Sequence, residues 1–405
     1  MVLLLLLVIM ISPILAVIPA SRRLLVGRRK VMDALPMAFI LSLFGLFYVP
    51  SLQVDLTRYF GQLNSLRLYG SFEDLFRTLD TTNKLQISQQ IFFYVMSRFS
   101  LNSLMPFAVV LIVALIGFYI IKDFSATNEY SMQIQAFMYV AFLMLMPWGV
   151  VITNIRWITG IALFMLATYR DLYQQRHNWL TLLIYLAGCT MHIAVIGFLG
   201  VRVGIYVLRL FLNQQIKTQT KLVIIVAIVI LAFIFMQTSL FNIFWQKAMT
   251  YLSGGGQGSG IQTWFEMADN SIGRRLGKYA EELFTLTQSF FIIPAIKKTF
   301  QQGDLVKSQT YLFALSMLLI TFILTLMPGT TWVRFAFMVT FCVGFIISAE
   351  ETYLKNQYFV LVNQSVWVGM LLWSIIWQVY QYVGSEVMTR ADFFNIFFPV
   401  WRLFQ

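Results

Sequence analysis

The sequence predicts an all-α polytopic membrane protein with about twelve membrane-spanning helices. Three observations lead there. Of 405 residues, 59% are hydrophobic and only 11% are charged, whereas soluble domains carry about 25% charged residues. The apolar residues fall into runs close to the roughly 20 residues that a bilayer requires. The basic residues gather on alternate connections between those runs, as the positive-inside bias expects.

The first run, 2–20, is followed by Arg22, Arg23, Arg28, Arg29 and Lys30. A secretory signal places its positive charge before the apolar core. Here the charge follows, so the run is expected to remain as a first helix with its N-terminus outside. Further runs lie near 34–50, 104–121, 131–149, 152–169, 179–193, 194–212, 222–241, 283–296, 309–328, 332–348 and 357–380. The stretch 178–212 is too long for one span, and His192 with Arg202 marks the place to divide it.

On this topology the short cytoplasmic connections hold Arg22, Arg23, Arg28, Arg29, Lys30, Lys122, Arg170, Arg176, Lys217, Lys221, Lys297, Lys298, Lys307 and Lys355. The short outer turns hold few charges, and both termini are expected outside. Two outer connections are long. Residues 51–100 mix Asp55, Arg58, Arg67, Glu73, Asp74, Arg77 and Asp80 with Phe and Leu, a pattern for short amphipathic helices on the membrane surface. Residues 242–282 contain the flexible tract 253–260, rich in Gly and Ser, and then Arg274, Arg275 and Lys278. Neither is large enough for a core of its own. The whole chain, 1–405, reads as one integral membrane domain, with these loops as lids or substrate-contacting segments. Internal repeats and broken or polar mid-membrane helices are not visible.

Composition narrows the chemistry. Only His177 and His192 are available as imidazoles, and Cys189 and Cys342 both sit in apolar runs, so no metal site, disulfide framework or cofactor is expected. Walker A and Rossmann glycine patterns are missing, which leaves nucleotide-dependent chemistry without support. The net charge of +12 matches anionic lipid headgroups and an anionic lipid-linked substrate; nucleic acid is not an expected partner.

Arg156, in Asn154-Ile155-Arg156-Trp157, and Arg334, in Trp332-Val333-Arg334-Phe335, sit at matching outer helix ends, each near a Trp. A charge inside the bilayer costs about 2.5–3.5 kcal/mol on insertion scales. Taken singly, each arginine reads as an interfacial anchor. Together they suggest an anion pocket, because the guanidinium fork suits phosphate. His192, at the predicted outer end of its helix, reads as a core residue or as a general base. Asp55 and Arg58 are three residues apart, which makes them either an exposed ion pair or a catalytic or acceptor-binding carboxylate with its cation. His177, among Arg170, Asp171 and Arg176, reads as solvated surface.

The order of these landmarks resembles a known family. Asp55-Leu56-Thr57-Arg58-Tyr59 follows the second helix. Asn154-Ile155-Arg156 leads into Gly160-Ile161-Ala162-Leu163, and His192 precedes Phe198-Leu199. This is similar to the EpsG-like branch of the Wzy polysaccharide polymerases, which make O-antigens, capsules and exopolysaccharides. The likeness is strongest over 1–210 and departs from the family pattern at Trp157, where Gln is usual. It implies a GT-C-like membrane glycosyltransferase in a bacterial cytoplasmic membrane, working at the outer face without metal, nucleotide or cofactor. Such an enzyme moves a growing glycan from a polyprenyl-pyrophosphate carrier to a lipid-linked repeat unit, sometimes with a chain-length regulator as partner. The expected roles here are pyrophosphate binding by Arg156, Arg334, Arg58, Arg274 and Arg275, and proton acceptance by His192 or Asp55. A flippase or other multi-helix transporter is the alternative from another class, and the related ligase is a close variant.

Overall fold

A computed structural model gives the fold. It describes residues 12–48, 55–212, 272–326, 331–353 and 357–379, with scattered positions elsewhere. The described residues are helical, with no strand among them. In hydrocarbon, a helix satisfies every backbone N–H and C=O within one segment, so this composition leads to helices. Most of the predicted 222–241 run and the whole 253–260 tract lie outside the described residues.

Among the described residues, three helices are long and apolar enough to cross a membrane: Leu104–Thr127, Leu305–Thr325 and Gln357–Val379. A fourth is reached if Phe335–Phe341 and Val343–Thr352, bent by 56°, count as one span. Two other predicted runs form shorter apolar helices, Met132–Leu145 and Trp179–Met191. The run 152–169 breaks at Asn154, whose backbone leaves the helical region at φ −103 and ψ 50. Asparagine competes with helical hydrogen bonds through its own side chain, which suits such a break. The division predicted at His192 falls where a helix ends: His192 is extended and caps Trp179–Met191. Several helices leave large apolar side chains exposed, including Leu182 and Leu186 in one and Leu361, Leu372 and Ile376 in another. Apolar faces of that extent are compatible with membrane association.

The chain divides into two compact units, Met1–Tyr169 with Asn178–His192 and Val368–Gln405, and Arg170–His177 with Ile193–Trp367. The first unit contains α1 (Pro13–Val26), α2 (Lys30–Leu46), α3 (Asp55–Leu66), α4 (Phe72–Thr78), α5 (Thr81–Leu85), α6 (Ile87–Ser97), α7 (Leu104–Thr127), α8 (Met132–Leu145), α9 (Trp148–Thr153), α10 (Ile155–Thr168) and α11 (Trp179–Met191). Helix α2 lies along α7, and α10 along α11. The second contact needs glycine. A Cβ on Gly188 would stand 2.9 Å from the Gly160 carbonyl oxygen and 3.1 Å from the Phe164 nitrogen. Gly188→Val is expected to push α11 off α10 and lower stability by about 1–3 kcal/mol; an unchanged melting temperature in detergent would contradict this packing.

An ionic cluster binds α1, α2, α7 and the end of α10. Asp33 accepts from Arg23 Nε at 2.8 Å and from the Arg29 backbone N–H at 2.6 Å. Lys122 Nζ donates to the Leu24 carbonyl at 2.7 Å and stands 3.8 Å from Asp33. Lys30 and the Tyr169 hydroxyl both bond Asp123. Arg23 and Lys122 are therefore not loop charges, as the topology count takes them to be. Arg23 lies in the last turn of α1, and α7 continues past the predicted end of its run and buries Lys122 and Asp123.

The second unit contains α12 (Ile196–Leu212), α13 (Ile272–Gln301), α14 (Leu305–Thr325), α15 (Thr331–Phe341) and α16 (Val343–Tyr353); α17 (Gln357–Val379) starts there and ends in the first unit. The α13–α14 corner turns on Gly303, whose φ of 76 suits glycine. Asp304 then caps α14 by accepting from the Lys307 N–H at 3.0 Å. The predicted run 283–296 is the middle of α13. Asp171 holds Arg202 at 2.5 Å and His177 at 2.8 Å, so Arg202, the charge that made a continuous span uncomfortable, has its counter-ion.

Candidate functional site

Arg156 lies in the first turn of α10, directly after the Asn154 break. Its Nε donates to the Tyr59 hydroxyl at 3.0 Å and its Nη1 to Gln89 Oε1 at 3.3 Å. The guanidinium also stands 5.2 Å from the centre of the Tyr59 ring, within cation–π range. Neither partner is charged. Nη2 takes no hydrogen bond among the described residues. First-turn backbone N–H groups add further positive potential at this point of the helix.

The partners come from α3 and α6. Tyr59 is 3% exposed and packs edge-on against Phe93 at 5.4 Å. It sits on the buried side of α3 with Leu56 and Leu63, at positions spaced for one helix face. Arg58 approaches the same ring at 5.6 Å and pairs with Asp55 at 3.1 Å. Both members of that pair are well exposed, at 60% and 42% of their side-chain area, so the pair adds little to stability and remains open to a ligand. Helix α6 is joined to α11 by a 2.7 Å bond between the Ser88 and Thr190 hydroxyls. Its Gln89 and Gln90 are both buried.

His192 ends α11 with its ring 5.1 Å from Trp157 and nearly perpendicular to it. Trp157 thus sets the histidine beside the helix turn that carries Arg156. The imidazole is half-buried and stands against the edge of the indole.

Four predicted residues, Asp55, Arg58, Arg156 and His192, belong to the first unit. Arg275 is exposed near the start of α13, in the second unit. The side chains of Arg274 and Arg334 lie outside the described residues. Sequence reasoning missed Gln89 and the role of Tyr59. Tyr59 closed the Asp55–Tyr59 motif, and paired glutamines in an otherwise apolar helix were the available sign of Gln89. It also missed Glu281 on α13, just before the predicted 283–296 run. That residue is buried, and burial pushes its carboxyl up to about 7. An open groove lined by Phe72, Glu73, Phe76, Arg77 and Ile87 contains none of the predicted site residues. Both cysteines are buried free thiols, and no group of three or more His, Cys, Asp or Glu gathers among the described residues.

Together, the fold and this cluster define an all-helical protein with several bilayer-length helices and a cationic cluster at a helix start. Comparison with family models, with curated proteins and with solved structures finds no match.

Proposed function

We propose that this chain is a lipid-linked polysaccharide polymerase of about twelve spans and GT-C-like architecture, acting at the outer face of a bacterial cytoplasmic membrane. The observation that supports it best is the Arg156 guanidinium, held by the Tyr59 hydroxyl and Gln89 amide beside the exposed Asp55–Arg58 pair. A held guanidinium with an unused donor edge suits a pyrophosphate.

In the proposed reaction, an acceptor sugar hydroxyl attacks C1 of the donor glycan. The bond from C1 to the pyrophosphate oxygen breaks, and the polyprenyl pyrophosphate departs with the electron pair. Arg156 and Arg58 bind the pyrophosphate and stabilise the charge that grows on it, a contribution that is often the largest in such catalysis. His192 or Asp55 takes the proton from the attacking hydroxyl. Apolar helix faces admit the polyprenyl chains, and the 51–100 segment covers the glycan.

A specific finding favours a second reading, a transporter for the same lipid-linked glycans. The 56° bend between α15 and α16 and the buried Gln288 and Glu350 are the broken and polar helices that carriers use, features that sequence reading did not find. One assay separates the two. The polymerase reading expects purified protein in detergent to lengthen lipid-linked repeats, with no sealed membrane present. No lengthening by protein that binds the same lipid-linked repeats would turn the assignment toward the carrier.

A further inference from the structure

We infer that Glu350, in the second unit, is a proton-binding site built into the helix packing, a role independent of the polymerase reading. Glu350 lies on α16, inside the bent pair, and is 6% exposed. The Trp367 indole N–H of α17 donates to both of its oxygens, at 2.9 and 3.2 Å. Asn363 stands one turn before Trp367 on α17, at a spacing that places the two on one helix face. Asn363 Oδ1 in turn accepts from Gln288 Nε2 of α13 at 3.0 Å. Gln288 is 0% exposed, and its Oε1 is buried without a hydrogen-bond partner.

Charge balance comes first. A carboxylate inside apolar helices requires a compensating positive charge. Among the described residues none is paired with it. Lys298 of α13 places its ammonium on the Thr352 carbonyl at 2.8 Å, Tyr311 of α14 bonds Ser348 at 2.8 Å, and the neighbour Glu351 is itself acidic. Trp367, which has no acceptor, presents its N–H to the carboxyl, and the Asn363 amide one turn away can offer a second. A metal ion needs oxygen lone pairs around it, so this donor-lined pocket does not suit one. A proton needs only the carboxylate.

The amide chain reads the protonation state. While Glu350 is ionised it can only accept, so in this proposal Asn363 offers its N–H to that side and its oxygen to Gln288, the second contact being the one seen. Gln288 must then donate, and its Oε1 is left over, as observed. When a proton from water forms an O–H bond on Glu350, that O–H donates to Asn363 Oδ1. Asn363 turns over, and its N–H satisfies Gln288 Oε1. Release to water reverses both turns, with no change of oxidation state. Buried Glu281 and Thr285 lie on the same face of α13 at positions leading to Gln288, and they mark a polar approach.

Infrared difference spectra of the full-length protein in detergent, acid minus alkaline, test the assignment. The expected result is a protonated-carboxyl C=O band that is lost in Glu350→Gln, whose amide oxygen still accepts from Trp367. The band's apparent midpoint is expected to shift in Gln288→Leu. Identical spectra for the parent and Glu350→Gln would overturn the site. So would a band that responds to sodium at constant pH and not to pH itself. If Glu350→Gln does not fold, the Gln288→Leu spectrum decides, and an unshifted midpoint would refute the chain.

Discussion

If the chain is the proposed polymerase, Arg156→Ala is expected to reduce glycan transfer by about 100- to 1,000-fold, the range seen when one preorganised donor to a developing negative charge is removed. The effect should fall mainly on turnover, because charge on the pyrophosphate is greatest as the bond to C1 breaks. Arg156→Lys keeps the charge but loses the fork that Tyr59 and Gln89 hold, so it should recover only part of the rate. The alanine variant leaves Tyr59 and Gln89 without their partner, at about 1–3 kcal/mol if no water replaces it. Melting temperature and membrane yield therefore accompany the assay. Full-length polymer from cells carrying Arg156→Ala, and likewise from cells carrying Arg334→Ala, would refute the pyrophosphate assignment.

The largest stability effect is expected at Asp33. Its carboxylate faces Arg23, the Arg29 N–H and Lys122 within buried surroundings. Asp33→Ala removes the anion and leaves Lys122 buried, with only the Leu24 carbonyl as acceptor. Breaking such a buried pair from one side costs about 3–5 kcal/mol. Asp33→Ala combined with Lys122→Met removes both charges and should recover much of the loss. A cycle over the two positions, read by thermal unfolding in detergent, measures the coupling. Additive losses would show that Lys122 does not depend on Asp33.

The site was legible in part. Arg156, Asp55 and Arg58 stand out because a charge or an acid–base pair at the end of an apolar run is costly or conspicuous. The helix end at His192 was visible as a polar residue in an overlong apolar stretch. Tyr59 and Gln89 lie 97 and 67 residues from Arg156 in sequence. Their meeting depends on how α3 and α6 pack, which no local pattern records. Arg23 and Lys122 misled for the opposite reason. Beside an apolar run, a paired buried cation and a solvated loop cation look the same until the carboxylate partner is located.

The sequence alone determined that this chain forms apolar helices, since so little charge cannot keep that much apolar surface in water. It also placed Arg156 at the start of a helix, because that position follows from the apolar run it opens. Tertiary structure decided where helices stop, at Asn154 and within the α15–α16 bend. It also decided which neutral side chains hold Arg156 and which carboxylates neutralise buried cations. Those outcomes rest on directional contacts a few ångströms long between segments far apart in the chain, and hydrophobic periodicity carries no information about them.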